Sequence, residues 1–337
     1  MSRFTPLVAL ALLLIASACQ PADPAPEASE ITLYAGRSAS LVEPIVEQFE
    51  AATGITVNVR QGGTSALAVA LLEEGEASPA DVFWAQDGGA LGAVHKAGLF
   101  MAMPDSIANK VPAGMRNDAQ TWVATSGRAR VLAYAPDRVD ASELPASIFD
   151  LTDARYQGRV GWAPTNGSFQ SFVTAMRMIE GEERTKAWLE GMAANDAVAF
   201  TNNSAIIQGL ADGEADMGIT NHYYLIRFKD GDAAFPVEQV FFEAGNTGNL
   251  VNVAGMGVLN TSEAKPAALR FVSFMLSNTA QEYFGNQIFE YPVTNGVTTN
   301  ERLIPMDSLS TLQPAIDLEQ LDDLDGTLAL LRDVGLI

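Results

Sequence analysis

Two adjacent tyrosines, Tyr223 and Tyr224, are the residues of this sequence best suited to metal chemistry. A phenolate is a hard, anionic oxygen donor, but a free tyrosine ionises only at about pH 10. A strongly charged cation is therefore needed to displace the proton at neutral pH, and ferric ion meets that demand best. The simpler alternative is that both rings pack in half-buried positions while their hydroxyls bond backbone groups.

The sequence around the pair predicts that it lies where a strand becomes a helix. Residues 215–220 are a short apolar run typical of a buried strand, Asn221 suits a helix N-cap, and residues 223–228 resemble a first helical turn. Neighbouring side chains of a regular helix point about 100° apart. Two neighbouring phenols can therefore contact one ligand only at an irregular helix start. The start of the helix at Tyr223 is predicted to be irregular in this way.

Alternating strand and helix patterns predict an α/β fold. Residues 31–34, 55–59 and 81–84 are typical of strands, and residues 41–52 and 66–74 of helices, so the order favours a doubly wound sheet. A second series begins with a strand at 161–163, and later patterns predict helices at 169–179, 186–192, 205–210, 264–276 and 279–284, and a strand at 252–259. Between the two series, residues 122–124 and 130–134 are predicted to be separate strands that flank a bend at Ser126-Gly127-Arg128.

Three predicted strand-to-helix turns could direct backbone N–H groups to one place, and such helix starts bind oxyanions. They lie at residues 37–38, 63–65 and 166–168. Arg37 and Arg128 add guanidinium groups whose geometry suits carbonate, phosphate or a carboxylate. For each arginine taken alone, a surface ion pair is the alternative.

Other patterns that indicate catalysis or metal binding are absent from the sequence. Its two histidines, His95 and His222, lack the spacing of a zinc pair. There is no Gly-x-Ser-x-Gly elbow, P-loop or Gly-x-Gly-x-x-Gly motif. We therefore expect a binding protein rather than an enzyme.

Composition excludes several classes of partner. The 337 residues can hold two domain cores, and 48% of them are hydrophobic. A formal net charge of −21 argues against binding to nucleic acid or to an anionic membrane face. A solvated acidic surface accounts for this charge, and electrostatic attraction of cations is the alternative.

The N-terminus is predicted to be a secretory signal. Arg3 precedes an apolar run at 7–15 that is too short to span a membrane, and small residues precede Cys19. This pattern is similar to a bacterial lipobox, although Ala16 replaces the usual leucine. It predicts a signal peptide at 1–18, a lipidated tether at 19–29 and a location in the periplasm or at the cell surface. Because Cys19 is the only cysteine, the chain can form no intramolecular disulfide.

Six short segments together resemble the ferric-iron-binding (FbpA-like) receptors of bacterial ABC importers. They are ITLYAGR at 31–37, FEAATGI at 49–55, SPADVF at 78–83, SGRARV at 126–131, NHYY at 221–224 and EYP at 290–292. The resemblance covers nearly the whole mature chain. It implies a type II periplasmic-binding-protein fold whose two lobes each have a mixed sheet with helices on both faces and enclose the ligand in a cleft. Lobe 1 would comprise 30–128 plus 254–304, and lobe 2 would comprise 129–253 plus 305–337.

The resemblance also implies a binding site. In that family the adjacent tyrosines bind Fe(III), the transported ligand, and carbonate, phosphate or a carboxylate fills further positions. The matching anion-binding residues here are Asn166, Gly167, Ser168, Asn203, Asn221 and Arg128.

The sequence departs from the family pattern at three ligand positions. Ser38 and Gln86 stand where many members have His and Glu, and Phe169 stands where others have a third tyrosine. Gln86, Asp87, anions or waters would then complete the iron shell.

The expected function is that of a monomeric extracytoplasmic receptor. It would close on ferric iron with a synergistic anion and deliver the iron to a membrane ABC permease. The alternative is the same fold binding another solute, such as an oxyanion, with the tyrosines only lining the cleft.

Overall fold

The computed structural model describes residues 28–337; the predicted signal peptide and Cys19 lie outside the described residues. The strands are β1 (Glu30–Ala35), β2 (Thr56–Gln61), β3 (Val82–Ala85), β4 (Trp122–Tyr134), β5 (Val160–Trp162), β6 (Val198–Ala199), β7 (Met217–Asn221), β8 (Glu238–Val240) and β9 (Val251–Val258). The helices are α1 (Ala39–Thr53), α2 (Thr64–Glu74), α3 (Gly88–Lys96), α4 (Asp105–Ala108), α5 (Gly167–Glu180), α6 (Glu182–Ala194), α7 (Asn203–Asp212), α8 (His222–Gly231), α9 (Lys265–Met275), α10 (Asn278–Tyr283), α11 (Met306–Leu312) and α12 (Leu324–Asp333).

The strands form one mixed sheet in the order β2-β1-β3-β9-β4-β7-β5-β6, with β8 also paired to β4. β1 runs parallel to β2 and β3, and β5 runs parallel to β6 and β7. β9 and β4 are antiparallel to their neighbours. On the predicted lobe boundaries, β1, β2 and β3 belong to lobe 1, β5, β6, β7 and β8 belong to lobe 2, and β9 crosses from one to the other.

β4 is shared by the two lobes. Residues 122–129 pair with β9, and residues 130–134 pair with β7. The prediction of two strands around a bend is therefore wrong. The pairing with β9 continues on both sides of Gly127, and the irregularity is confined to a register shift between Ala124 and Ser126. Gly127 also exchanges backbone hydrogen bonds with Tyr291, which holds the strand extended.

Helix α1 shows how the apolar pattern produces the local structure. Its buried face contains Leu41, Val42, Ile45, Val46 and Phe49. This is the spacing of one side of a helix. The helix ends at Gly54, whose φ of 72° is left-handed and costs glycine little. Both the helix and its stop are confirmed.

The C-terminal part of the chain contacts both lobes. A 3₁₀ turn at Leu318–Asp322 packs against α3 in lobe 1, and α12 packs against α5 in lobe 2. Within residues 28–337, no helix is both long and apolar enough to cross a membrane.

Candidate functional site

A cavity of about 530 Å³ lies between residues of the two lobes. The starts of α2, α3 and α5 form part of its wall, and Arg128 of β4, Asn252 of β9 and Tyr224 of α8 complete it. Helix starts present unpaired N–H groups, so these walls favour anions. The predicted turns at 63–65 and 166–168 both line the cavity, whereas the turn at 37–38 does not.

The two tyrosines come together in the first turn of α8. Their ring centroids are 4.4 Å apart and the ring planes are tilted by 31°. Tyr224 lines the cavity, while Tyr223 is buried and does not. Asn221 occupies the N-cap position, as predicted, but its side chain makes no capping hydrogen bond. The helix entry thus lets neighbouring phenols stay side by side.

The surroundings keep Tyr224 protonated. Burial raises the pKa of Tyr224 above its ordinary value, and the neighbouring Tyr223 raises it further. A hydrogen bond with Asn203 and the charge of Arg128 act in the opposite direction but do not outweigh burial. Only a strong cation can therefore displace this proton near neutral pH.

Arg130 is a site residue that the sequence reasoning missed. It is buried, its guanidinium lies 5.0 Å from the Phe172 ring centroid, and its Nη1 donates to Ser168 Oγ at 3.4 Å. Its Nε and Nη2 have no hydrogen-bond partner among the described residues. Burial lowers the pKa of Arg130 to about 10, against the opposing effect of Tyr223 and Tyr224. The available signal was alternation, because positions 128 and 130 of one strand share a face.

The predicted anion residues Asn166, Ser168 and Asn203 form one cluster. Asn166 Oδ1 accepts from the Ser168 backbone N–H at 3.0 Å and from Ser168 Oγ at 2.7 Å. Asn203 Nδ2 donates to Ser168 Oγ at 3.0 Å. Gly167 lies between the first two and also lines the cavity. Loop 166–168 and the start of α7 are thereby held together.

Gln86, Asp87 and Arg128 lie together on the lobe 1 side. All three line the cavity, and Arg128 Nη2 donates to the Gln86 carbonyl oxygen. The Asp87 carboxylate caps α3 by accepting from the Ala90 N–H at 2.9 Å. Burial raises the pKa of Asp87 despite this bond and the charge of Arg128.

The structure does not bring Arg37 or Asn221 to the cavity wall. Arg37 Nη2 forms a buried ion pair with Glu290 Oε1 at 2.6 Å, and Ser126 Oγ donates to Glu290 Oε2 at 2.5 Å. Burial disfavours the charged carboxylate, but Arg37, Arg128 and Ser126 together hold the pKa of Glu290 below its ordinary value. Asn221 is buried at the end of β7, where its backbone pairs with Arg130.

His222 anchors the start of α8. Its Nδ1 accepts from the Ala129 N–H at 3.1 Å, and its Nε2 donates to the Phe289 carbonyl oxygen at 2.8 Å. These two bonds fit a neutral ring with the proton on Nε2. Burial lowers the pKa of His222 to about 4, so the ring stays neutral. Sequence reasoning assigned this residue no role, because both partners are distant in the chain.

Conventional metal clusters do not compete with the phenols in the part of the chain that the structure describes. Residues 28–337 contain no group of three or more His, Cys, Asp or Glu that could hold a metal ion.

Comparison with known proteins identifies the class. The family model described as bacterial extracellular solute-binding protein matches residues 44–308, and the chain belongs to that family.

Individual relatives are more specific. The Fe(3+)-binding periplasmic protein of Serratia marcescens is 32% identical over 310 residues, which cover 91% of this chain and 90% of the relative. Iron-bound HitA from Pseudomonas aeruginosa has a TM-score of 0.83 at 33% identity and covers 91% of this chain and 99% of its own. A Trichodesmium protein (IdiA, FutA) in complex with iron and citrate ligands has a TM-score of 0.79 at 28% identity, with coverages of 91% and 100%. The resemblance to ferric-iron-binding receptors and the two-lobed type II fold are therefore confirmed.

Proposed function

We propose that this chain is the extracytoplasmic receptor of an ABC importer and captures ferric iron with a synergistic anion. The observation that carries the proposal is the adjacent phenol pair, whose rings lie 4.4 Å apart and of which one member, Tyr224, lines an interlobe cavity. The names of the relatives, which include an Fe(3+)-binding periplasmic protein and an iron-bound structure, support the same ligand.

Tyr223 and Tyr224 are the proposed iron ligands, both as phenolates. Two phenolates leave a ferric ion with one positive charge, and an anionic co-ligand neutralises it. Gln86 and Asp87 line the cavity and are candidates for a further ligand position, although Asp87 also caps α3. The carbonate, phosphate or carboxylate supplies the remaining oxygens.

The co-bound anion is proposed to lie against the start of α5. Asn166, Gly167 and Ser168 supply the helix start, Arg128 supplies positive charge, and Asn203 and Asn221 are the matching asparagines. We add Arg130, because two of its buried nitrogens lack protein partners. Arg37 is left out of this set, because its guanidinium already pairs with Glu290.

Capture is proposed to occur by hinge closure. β4 and β9 connect the lobes, and hinges of this kind absorb a rotation within a few residues. The lobe 1 wall with Arg128 and Gln86 and the lobe 2 wall with Tyr224 and Ser168 would face one ligand in the closed form, and opening would separate them. The closed, loaded form would then be the one that docks on the permease.

The proposed location is the periplasm or cell surface, with Cys19 carrying the lipid. We expect Cys19→Ala to leave folding unchanged and to move the protein from the membrane fraction to the soluble fraction, since the thiol has no other role. A Cys19→Ala protein that stays with the membranes would contradict the anchor.

The decisive experiment is a ferric titration of wild-type protein and of the Tyr223→Phe and Tyr224→Phe variants, with and without bicarbonate. Phe keeps the ring and removes only the donor oxygen. Iron should give a visible phenolate-to-iron band that bicarbonate strengthens, and each variant should diminish or shift the band and bind at least about 100-fold more weakly. Loss of one neutral hydroxyl hydrogen bond costs only about 1 kcal/mol, roughly a five-fold effect.

Tyr156→Phe is the matched control. The Tyr156 hydroxyl is bonded to the Glu143 carbonyl oxygen at 2.6 Å, away from the cavity wall. This variant should lose stability but keep the colour. Wild-type colour and affinity in both cleft variants would instead favour a receptor for an oxyanion. Arg128 and the three helix starts around the cavity would support that alternative.

A further inference from the structure

The segment Leu318–Asp325, called here the C-terminal strap, forms one wall of the cavity. Leu321 and the four residues after it line that wall. The strap lies so close to α3 that only glycine fits beneath it. A Cβ at Gly89 would lie 2.1 Å from the Leu321 carbonyl oxygen, and a Cβ at Gly88 would lie 3.0 Å from that of Leu318.

Adjacent aspartates of the strap pair with different lobes. Asp322 Oδ2 accepts from Lys96 Nζ of α3 at 2.5 Å. Asp323 Oδ2 accepts from Arg177 Nη2 of α5 at 2.8 Å, and the Asp323 carbonyl oxygen accepts from Arg177 Nη1 at 3.1 Å. Asp323 is the only residue between the 3₁₀ turn on α3 and the start of α12.

This connection is too short to lengthen when the lobes move apart. A single residue spans at most about 3.6 Å, so moving α3 away from α5 must detach the strap from one of them. Among the polar contacts of the strap, those to lobe 2 are the better protected from water, since the Arg177 side chain is 8% exposed and Thr327 bonds Thr174 at 2.7 Å. The Lys96 side chain on lobe 1 is 58% exposed, and exposed ion pairs are weak.

We propose that the C-terminal strap is a third interlobe connection that holds the cleft closed and slows ligand release, with its lobe 1 attachment as the part that opens. Its effect on iron release rests on the proposed function; its effect on lobe opening does not. Release of the strap from Gly89 and Lys96 accompanies opening and frees one wall of the cavity.

Two variants weaken the lobe 1 attachment, and neither changes the side chain of a proposed ligand. Gly89→Ala displaces the strap, because the added methyl overlaps the Leu321 carbonyl, while alanine favours the helix itself. Lys96→Ala removes the ion pair. The matched control for charge is Lys186→Ala, since Lys186 pairs with Asp333 at the same 2.5 Å but within lobe 2. The control for the methyl is Gly114→Ala, where a Cβ meets nothing within 4 Å.

Three measurements are made on each protein: amide hydrogen exchange of residues 318–325, the radius of gyration of the iron-free protein by small-angle X-ray scattering, and the rate of iron transfer to excess chelator. Gly89→Ala should show faster exchange in the strap, a larger radius and iron release at least about ten-fold faster. Lys96→Ala should accelerate release by about two- to five-fold, the range for an exposed ion pair. Both controls should match wild type.

Faster strap exchange with unchanged radius and release in Gly89→Ala would overturn the proposal, as would unchanged exchange in that variant. Equal acceleration by Lys96→Ala and Lys186→Ala would also overturn it, because the effect would then be one of net charge. If the wild-type protein binds no ferric iron, the proposed function fails, and the exchange and scattering data still decide whether the strap restrains the lobes.

Discussion

Burial acts on Tyr224 and Arg130 in a common direction, toward the neutral form of each group. It raises the pKa of the Tyr224 phenol and lowers the pKa of Arg130 to about 10. Ionised tyrosines would stabilise the charged guanidinium. Tyr223 and Tyr224 accordingly act to raise the pKa of Arg130, in the direction opposite to burial. Because a ferric ion with two phenolates keeps one positive charge, it is the proposed co-bound anion that would balance the charge of Arg130.

The buried His222 makes a prediction about acid stability. Its folded pKa of about 4 lies below its ordinary value of 6.5, so the unfolded chain binds the proton more readily. The stability that comes from the neutral ring is complete above pH 6.5 and is lost as the pH falls toward 4. This loss amounts to about 3 kcal/mol at most. In denaturant titrations without iron, His222→Gln should be less stable than wild type at pH 7 and should lose less stability between pH 7 and 4.5.

His95→Gln is the control, because His95 is the only other histidine and lies partly exposed on α3. This variant should keep the wild-type pH dependence. If His222→Gln also kept the wild-type pH dependence of stability, the loss of stability in acid would arise from other groups.

At the scale of elements, the sequence analysis located most helices and strands because their apolar patterns are local. It placed α1, its stop at Gly54 and the strand-to-helix entry at Tyr223 within two residues of their positions. It failed at β4, since Ser126-Gly127 weakens the local strand signal whereas pairing with β9 and Tyr291 decides the structure. Long-range pairing also explains the placement of Arg37, whose partner Glu290 is 253 residues away. The local pattern predicted the turn at 166–168, whereas Asn203 joined the site only through the family resemblance.

Close packing of β7 against α7 requires glycine at position 218, and the position of Asn203 in the proposed site depends on that packing. A Cβ at Gly218 would lie 2.3 Å from Ile206 Cγ2 on α7, the helix that begins with Asn203. Gly218→Ala should destabilise the protein by about 1–3 kcal/mol, since the branched side chain cannot move aside. It should also weaken iron binding by displacing Asn203. Thermal or chemical unfolding and the ferric titration measure the two effects.

Ile206→Ala removes the obstructing methyl, so it provides the control. The double variant should be more stable than the sum of the two single losses predicts. Strict additivity would mean that the two side chains do not clash.

For the whole molecule, iron retention is expected to be more acid-sensitive than the fold. In the proposed site, ferric binding would displace the phenol protons, so falling pH would restore them and would also protonate the co-bound anion. The apparent dissociation constant should therefore rise by about 10- to 100-fold for each pH unit lost. Following the iron band and tryptophan fluorescence in one acid titration should show the colour disappearing first. Colour and fold lost together would indicate a buried structural metal instead.

The position of β9 has a consequence for the order in which the sheet can assemble as the chain emerges from its N-terminus. β9 lies between β3 and β4, yet it is made after every strand of lobe 2. When residue 240 has been added, β4, β5, β6, β7 and β8 all exist, whereas β3 and the first half of β4 still lack the strand that joins them. Pairing between segments so distant in sequence is slow, because the intervening loop must first be closed. Lobe 2 can therefore complete its sheet first, although lobe 1 begins the chain.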